Sequence, residues 1–242
     1  MNYRFAMIEK TLPPASPRPE RGDATREKLL AASIDVFGRQ GFDGATTRAL
    51  ADAAGVNLQA IPYYFGGKEG LYIATADYLA SLISAHVADF RTGVRTRLAE
   101  AQSRPIDADE ARALLTEILE RMSVLFLSSQ SEPWARFLIR EQMEPTEAFT
   151  RVYGGVMQPM LGIAGSLVGI VLDEDPASEH VRLRTFGLLG GIMIFRVAHA
   201  AVLKQLDWTT IGPRELGVVR TLVGELVASL NRSATPQRNT SS

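Results

Sequence analysis

Residues 63–68 read Tyr63-Tyr64-Phe65-Gly66-Gly67-Lys68, and the chemistry these residue types offer is anion binding. Two phenolic hydroxyls can reach phosphate oxygens, and Lys68 adds charge beside a helix N-terminus, which attracts anions. The flat aromatic faces can pack beneath a helix pair. Bond-breaking chemistry has no comparable set. The chain has no cysteine and three histidines, His86, His180 and His199, far apart in sequence. That excludes a disulfide framework and argues against a zinc cluster. No nucleophile–base pair, phosphate loop or metal-ligand spacing is found. The expectation is a binding protein with no metal and no cofactor; a helical enzyme or ligand carrier is the alternative from another class.

The segment that must position those groups begins at Thr46-Thr47, where a hydroxyl can cap a helix. Leu50 and Ala53 are expected to face inward, and Ala51 is small where a second helix must cross. Gly55 supplies a turn that a β-carbon would hinder, Val56 enters the shared core, and Asn57 is a good N-cap for the following helix. This is the spacing of a helix-turn-helix whose second helix lies in the major groove of duplex DNA. An earlier helix, from Asp23 or Thr25 to Gly41, carries Leu30, Ile34 and Phe37 on one face. Charge does not assist: the net charge is −1, and residues 21–70 hold six cations and six anions. The DNA reading rests on pattern.

From residue 22 to residue 82 the sequence resembles the TetR family of bacterial transcriptional regulators, on the run Tyr63-Tyr64-Phe65-Gly66-Gly67-Lys68-Glu69-Gly70-Leu71 together with the helix-turn-helix. By position, the resemblance implies that Thr46 and Thr47 meet backbone phosphate and that Arg48 reaches a base edge or phosphate. Arg48 is equally suited to a salt bridge with Asp52. Asn57, Leu58, Gln59 and Ala60 open the recognition helix, with Gln59 the candidate to pair with adenine. Tyr63, Tyr64 and Lys68 clamp phosphates, while Phe65 is better read as core. Pro62 departs from the pattern, standing where a phosphate-binding tyrosine is common. Proline lacks a donor, so the last turn of this helix is expected to bend or end early.

The remaining chain reads as all-α: an N-terminal three-helix module joined to a larger helical domain for effector binding and dimerisation. Residues 1–21, with Pro13, Pro14, Pro17 and Pro19, read as a flexible tail, as do 233–242. Residues 22–82 form the DNA-binding domain and 83–232 the C-terminal domain. Helices are expected from Lys68 to about Leu98, after a capping box of Asp107 and Glu110, and over 132–143, 145–171, 176–205 and 213–231. Val152 to Leu172 carries no charge, but its Gln158, Pro159 and five glycines favour a kinked buried helix over a membrane span. The N-terminus lacks an apolar signal region, so the cytoplasm is the expected compartment.

Two further runs, Phe137 to Phe149 and Phe195 to Leu203, resemble a TetR subfamily typified by a regulator of sensitivity to cefoperazone and chloramphenicol. That resemblance implies control of transport or efflux genes. Candidate ligand-binding residues are Phe126, Trp134, Phe137, Arg140, Glu141, Tyr153, Met157 and Arg196. Ion pairing among Arg140, Glu141 and Arg196, and ordinary core packing for the aromatics, are the alternatives. The sequence points to a homodimeric repressor, paired through helices near 176–205 and 213–231 and released from a pseudo-palindromic DNA operator by a small, largely apolar molecule. Control by a protein partner is the rival.

Overall fold

The computed structural model describes residues 21–231; the two expected flexible tails lie almost wholly outside them. Eleven α-helices and no strand occur among the described residues. Helix α1 spans Arg21–Gly44 and breaks at Gly41, whose φ of 73° and ψ of −179° are open to a residue without Cβ. Helices α2 (Thr47–Ala54), α3 (Ala60–Phe65) and α4 (Lys68–Ala99) follow. Gly70 lets α4 start beside the end of α3, because a Cβ there would fall 1.9 Å from the Phe65 carbonyl oxygen.

Helix α5 (Ala108–Leu127) begins as expected, with the Asp107 carboxylate accepting the Glu110 N–H at 2.8 Å. The second half of the capping box is not made. Glu110 turns instead to Arg97, accepting its guanidinium at 2.6 and 2.8 Å, and so ties α5 to the end of α4. Helices α6 (Glu132–Met143) and α7 (Glu147–Val152) lead through a π-helical turn, Tyr153–Met157, into α8 (Gln158–Leu172). The single helix expected over 145–171 thus has a different pitch in its middle. The one expected over 176–205 is two: α9 (Glu179–Val197) and α10 (His199–Gln205) meet at 81°. Helix α11 spans Pro213–Ala228.

Burial divides the molecule into two cores. One contains Leu167, Val168 and Leu172 of α8 between Leu115 and Leu119 of α5, Val181 and Ile192 of α9, and Val223 of α11. Lys68–Gln102 and Glu147–Leu172 are long and apolar enough to cross a membrane by length and composition, yet α8 is packed at the centre of this bundle. The other core joins Leu29, Phe37, Leu50, Ile61, Leu71 and Leu79 to Phe137, Ala148, Val152 and Val156. Helices α6 and α7, placed by sequence in the C-terminal domain, therefore share the core of the N-terminal module.

Candidate nucleic-acid interface

The α2–turn–α3 unit is built by local hydrogen bonding. Thr46 Oγ1 accepts the Ala49 N–H at 3.1 Å and starts α2. Gly55, at φ 63°, ends it: the Gly55 N–H bonds the Asp52 carbonyl and the Val56 N–H the Ala51 carbonyl, so two otherwise orphaned acceptors are satisfied. Asn57 Oδ1 then accepts the Gln59 N–H at 2.9 Å. Leu50, Ala51 and Ile61 are buried, but Ala53, expected inside, is exposed, and half-buried Ala54 packs there instead. The apolar stripe of α2 runs one position later at its C-terminal end.

Pro62 does not bend the last turn of α3. Ile61 N–H already bonds the Leu58 carbonyl, which residue 62 would otherwise use, and Tyr63 N–H bonds the Gln59 carbonyl. The proline therefore occupies the opening turn, where its missing donor leaves no acceptor stranded. The helix closes at Gly66, φ 73°, whose N–H bonds the Pro62 carbonyl.

Thr47, Arg48, Asn57, Leu58, Gln59 and Tyr63 are all exposed and Ala60 and Tyr64 are half-buried; Asn57, Gln59, Ala60, Tyr63 and Tyr64 line one groove. Tyr63 is 80 % exposed, far more than core packing would allow. Its ring meets Tyr64 edge-on at 4.7 Å, and Tyr64 in turn lies against α1, where a Cβ on Gly22 would stand 3.3 Å from its hydroxyl. Among the described residues no ion pair joins Arg48 to Asp52, and Arg48 is exposed. Phe65 packs against the N-terminal core, with Arg26 above its ring at 5.5 Å.

Lys68 is held more firmly than its sequence suggested. Its ammonium donates to the Phe42 and Ala45 carbonyls at 2.9 and 3.1 Å, pinning the chain between α1 and α2. Two of its three N–H donors are spent there. Sequence reasoning missed Thr25 and Lys28 of α1. They border an open groove of about 660 Å³ shared with Gln59, Tyr63 and Tyr64. The available signal was that positions 25 and 28 fall on the face of α1 opposite Leu30, Ile34 and Phe37.

Trp134 and Met157 pack with Phe137 against the N-terminal core, and no candidate ligand residue lines the groove beside α3. Phe137 is 1 % exposed in the core of the N-terminal module. Glu141 is buried and accepts from the Tyr72 hydroxyl and from Thr146 N and Oγ1, so it does not pair with Arg140 or Arg196 as the alternative reading held. Arg196 donates at 2.6 Å to both the Phe126 and Ser128 carbonyls, capping the end of α5, and burial lowers its pKa. Tyr153 stacks on Phe149, and Met157 accepts a weak bond from Gln142. Trp134 meets the His86 ring edge-on at 5.5 Å, and His86 borders a second groove of about 460 Å³ between α4 and α5. Leu183, Phe186, Ile194 and Val197 of α9 and Val218 of α11 are at least half exposed. Their spacing forms an apolar stripe along α9 broken by Gly187 and Gly190.

Comparison with known proteins covers both halves. Residues 29–75 match the tetR family of bacterial regulatory proteins, and residues 111–232 match the C-terminal domain of the HTH-type transcriptional dual regulator CecR. CecR of Shigella flexneri is 29 % identical over 84 % of this chain and 89 % of its own length. The HTH-type transcriptional regulatory protein RaaS of Mycobacterium tuberculosis is 43 % identical over 76 % of this chain and 84 % of its own. Among solved structures, a TetR-like regulator from Rhodococcus covers 87 % of this chain and is itself covered to 97 %, at TM-score 0.59 and 17 % identity. Bacillus subtilis FadR in complex with stearoyl-CoA covers 84 %, with 97 % of its own chain matched, at TM-score 0.56 and 17 % identity.

Proposed function

The chain belongs to the TetR family of transcriptional regulators, with a C-terminal domain of the CecR type, and on that premise we propose that it is a homodimeric repressor of transport or efflux genes in the cytoplasm. Two copies pair through α9 and α11, and each places α3 in the major groove of one half-site of a pseudo-palindromic operator. Gln59 reads a base edge, while Thr46, Thr47, Tyr63 and Tyr64 hold the phosphates, assisted by Arg48, Thr25 and Lys28. Lys68 fixes the turn between α1 and α2 and offers its remaining N–H to the same backbone.

The observation that carries this reading is Tyr63, a large aromatic left 80 % exposed in the groove it shares with Gln59, its ring set edge-on against Tyr64. The effector is a small, largely apolar molecule that binds one arrangement of the C-terminal helices better than another and thereby lowers operator affinity. The stearoyl-CoA held by the FadR structure carries a long apolar acyl chain, and that chain, not its anionic coenzyme A part, is what fits this ligand class. The test is fluorescence anisotropy on the duplex upstream of the protein's own gene against a random duplex at moderate salt. Sequence-preferring binding is expected, and equal binding to both duplexes sinks the proposal. Because CecR is a dual regulator, transcription is scored in both directions.

A further inference from the structure

Family and fold place the DNA-binding module at the N-terminus, yet the packing binds two later helices to it. Gly38 of α1 is a notch for α6: a Cβ there would stand 3.1 Å from the Pro133 carbonyl oxygen and 3.3 Å from Arg136 Cβ. One turn further, a Cβ on Gly41 would fall 2.8 Å from Arg140 Nη1. Backbone therefore meets backbone at Gly38, and the Arg140 guanidinium covers the Gly41 backbone one turn on. Beside this contact the buried Glu141 carboxylate accepts the Tyr72 hydroxyl, and Tyr72 is wedged among Phe37, Phe42 and Phe137 at 4.7, 5.2 and 5.2 Å. Burial and the Glu141 bond both raise the Tyr72 pKa, keeping its proton in that bond.

The boundary with the larger core is looser. Helix α4 has no buried residue between Ile83 and Val94. The α7–α8 connection is the π-helical turn, with Gly154 and Gly155 in it. Such turns replace the regular hydrogen-bond ladder with longer i→i+5 bonds and interrupt an α-helix locally.

We propose that the rigid unit presenting α3 to DNA comprises α1–α3, α4 as far as Ile83, and α6–α7, and that Glu141 is a positioning residue for DNA recognition. Acting through Tyr72, one turn beyond Lys68, it fixes the pitch of α4 and with it the attitude of α3. The unit turns as one body against the bundle of α5, α8, α9 and α11. Any change in that bundle reaches the DNA face through α6–α7 as well as along α4.

This inference rests on the operator-binding reading, and its test separates the two. Full-length wild type, Tyr72→Phe, Glu141→Leu and Glu141→Gln are titrated against operator, random duplex and operators with half-sites moved by one base pair. Tyr72→Phe keeps the ring packing, and Glu141→Gln keeps an acceptor. Expected are a tenfold or greater loss on the operator for Tyr72→Phe and Glu141→Leu, random-duplex affinity within twofold, a weaker spacing penalty, and substantial rescue in Glu141→Gln. Folded Tyr72→Phe with wild-type affinity and spacing preference overturns the role of Glu141, whereas wild type with no operator preference overturns the repressor reading.

A second measurement addresses the rigid unit itself. The chain has no cysteine, so spin labels at introduced cysteines on exposed Gln40 and Gln142 report the α1–α6 distance in doubly labelled protomers mixed with excess unlabelled chain. An unchanged distance on operator binding is expected; a changed one overturns the shared body.

Discussion

The Lys68 ammonium lies 4.3 Å from the centroid of the Phe42 ring while donating to the Phe42 carbonyl at 2.9 Å. One residue thus meets both the π face and the backbone of the other, and the turn between α1 and α2 is tied to the start of α4. Lys68→Ala is expected to cost about 1–3 kcal/mol, since hydrogen bonds from charged groups are lost to half-buried carbonyls. At this chain length that is a fall in Tm of roughly 3–10 °C. Binding to all duplexes weakens together. A variant with wild-type Tm and altered sequence preference would contradict the assignment.

Gln59 and Tyr63 should separate in their effects. Gln59→Ala is expected to relax preference at one base position by about 1–3 kcal/mol, whereas Tyr63→Ala weakens binding to every sequence alike and, because the lost group is uncharged, leaves the salt dependence unchanged. Competition with single-base operator variants reads the first, and parallel titration of operator and random duplex the second. Equal losses on specific and random DNA for Gln59→Ala would remove its base-reading role.

The stripe on α9 gives a prediction about assembly. Phe186→Asp and Ile194→Asp each put a charge in the centre of the proposed interface. They are expected to shift sedimentation from dimer to monomer and lower operator affinity roughly tenfold or more, as linked half-site contacts become independent. Helicity should be unchanged, since Phe186 is 58 % and Ile194 50 % exposed in the single chain. Wild-type sedimentation as a monomer would dispose of the interface.

Acid stability should depend on Glu110. Hydrogen bonds from Arg97 hold its carboxyl below the ordinary carboxylate range, aided by the charges of Arg97 and Arg104. Because the folded pKa is depressed, this contribution is complete above the unfolded value and is lost as pH falls through the folded one. The gap in urea midpoint between wild type and Glu110→Gln should therefore narrow from neutral to acid pH. A gap that stays constant across that range would show that the pairing is not proton-linked.

Elements set by local chemistry were legible in the sequence. Asp107 capped its helix and Gly55 turned the chain as read, and Lys68–Ala99 matched its uninterrupted apolar pattern. What escaped was set by tertiary packing. The break after Val197 has no proline to announce it, and Glu110 met the demand of Arg97 rather than closing its own capping box. The assignment of α6–α7 to the N-terminal core depends on Gly38 as a notch, which only the crossing helix reveals. The place of Lys28 was hidden because a balanced charge count conceals which cations share a face. Pro62 was read against a helix beginning at Asn57, and its place in the opening turn follows from bonds to Leu58 and Gln59.

Pro62 has a further effect on the recognition helix. Helix α3 is six residues long and is followed by Gly66 and Gly67, both in backbone conformations that glycine favours. So short a segment would ordinarily sample many shapes in solution, and each would have to be abandoned on DNA. The pyrrolidine ring fixes φ at residue 62 and reduces the number of those shapes before the duplex arrives. Conformational entropy that binding would otherwise quench is already removed during folding, so more of the contact energy proposed for Gln59 and Tyr63 would remain for affinity.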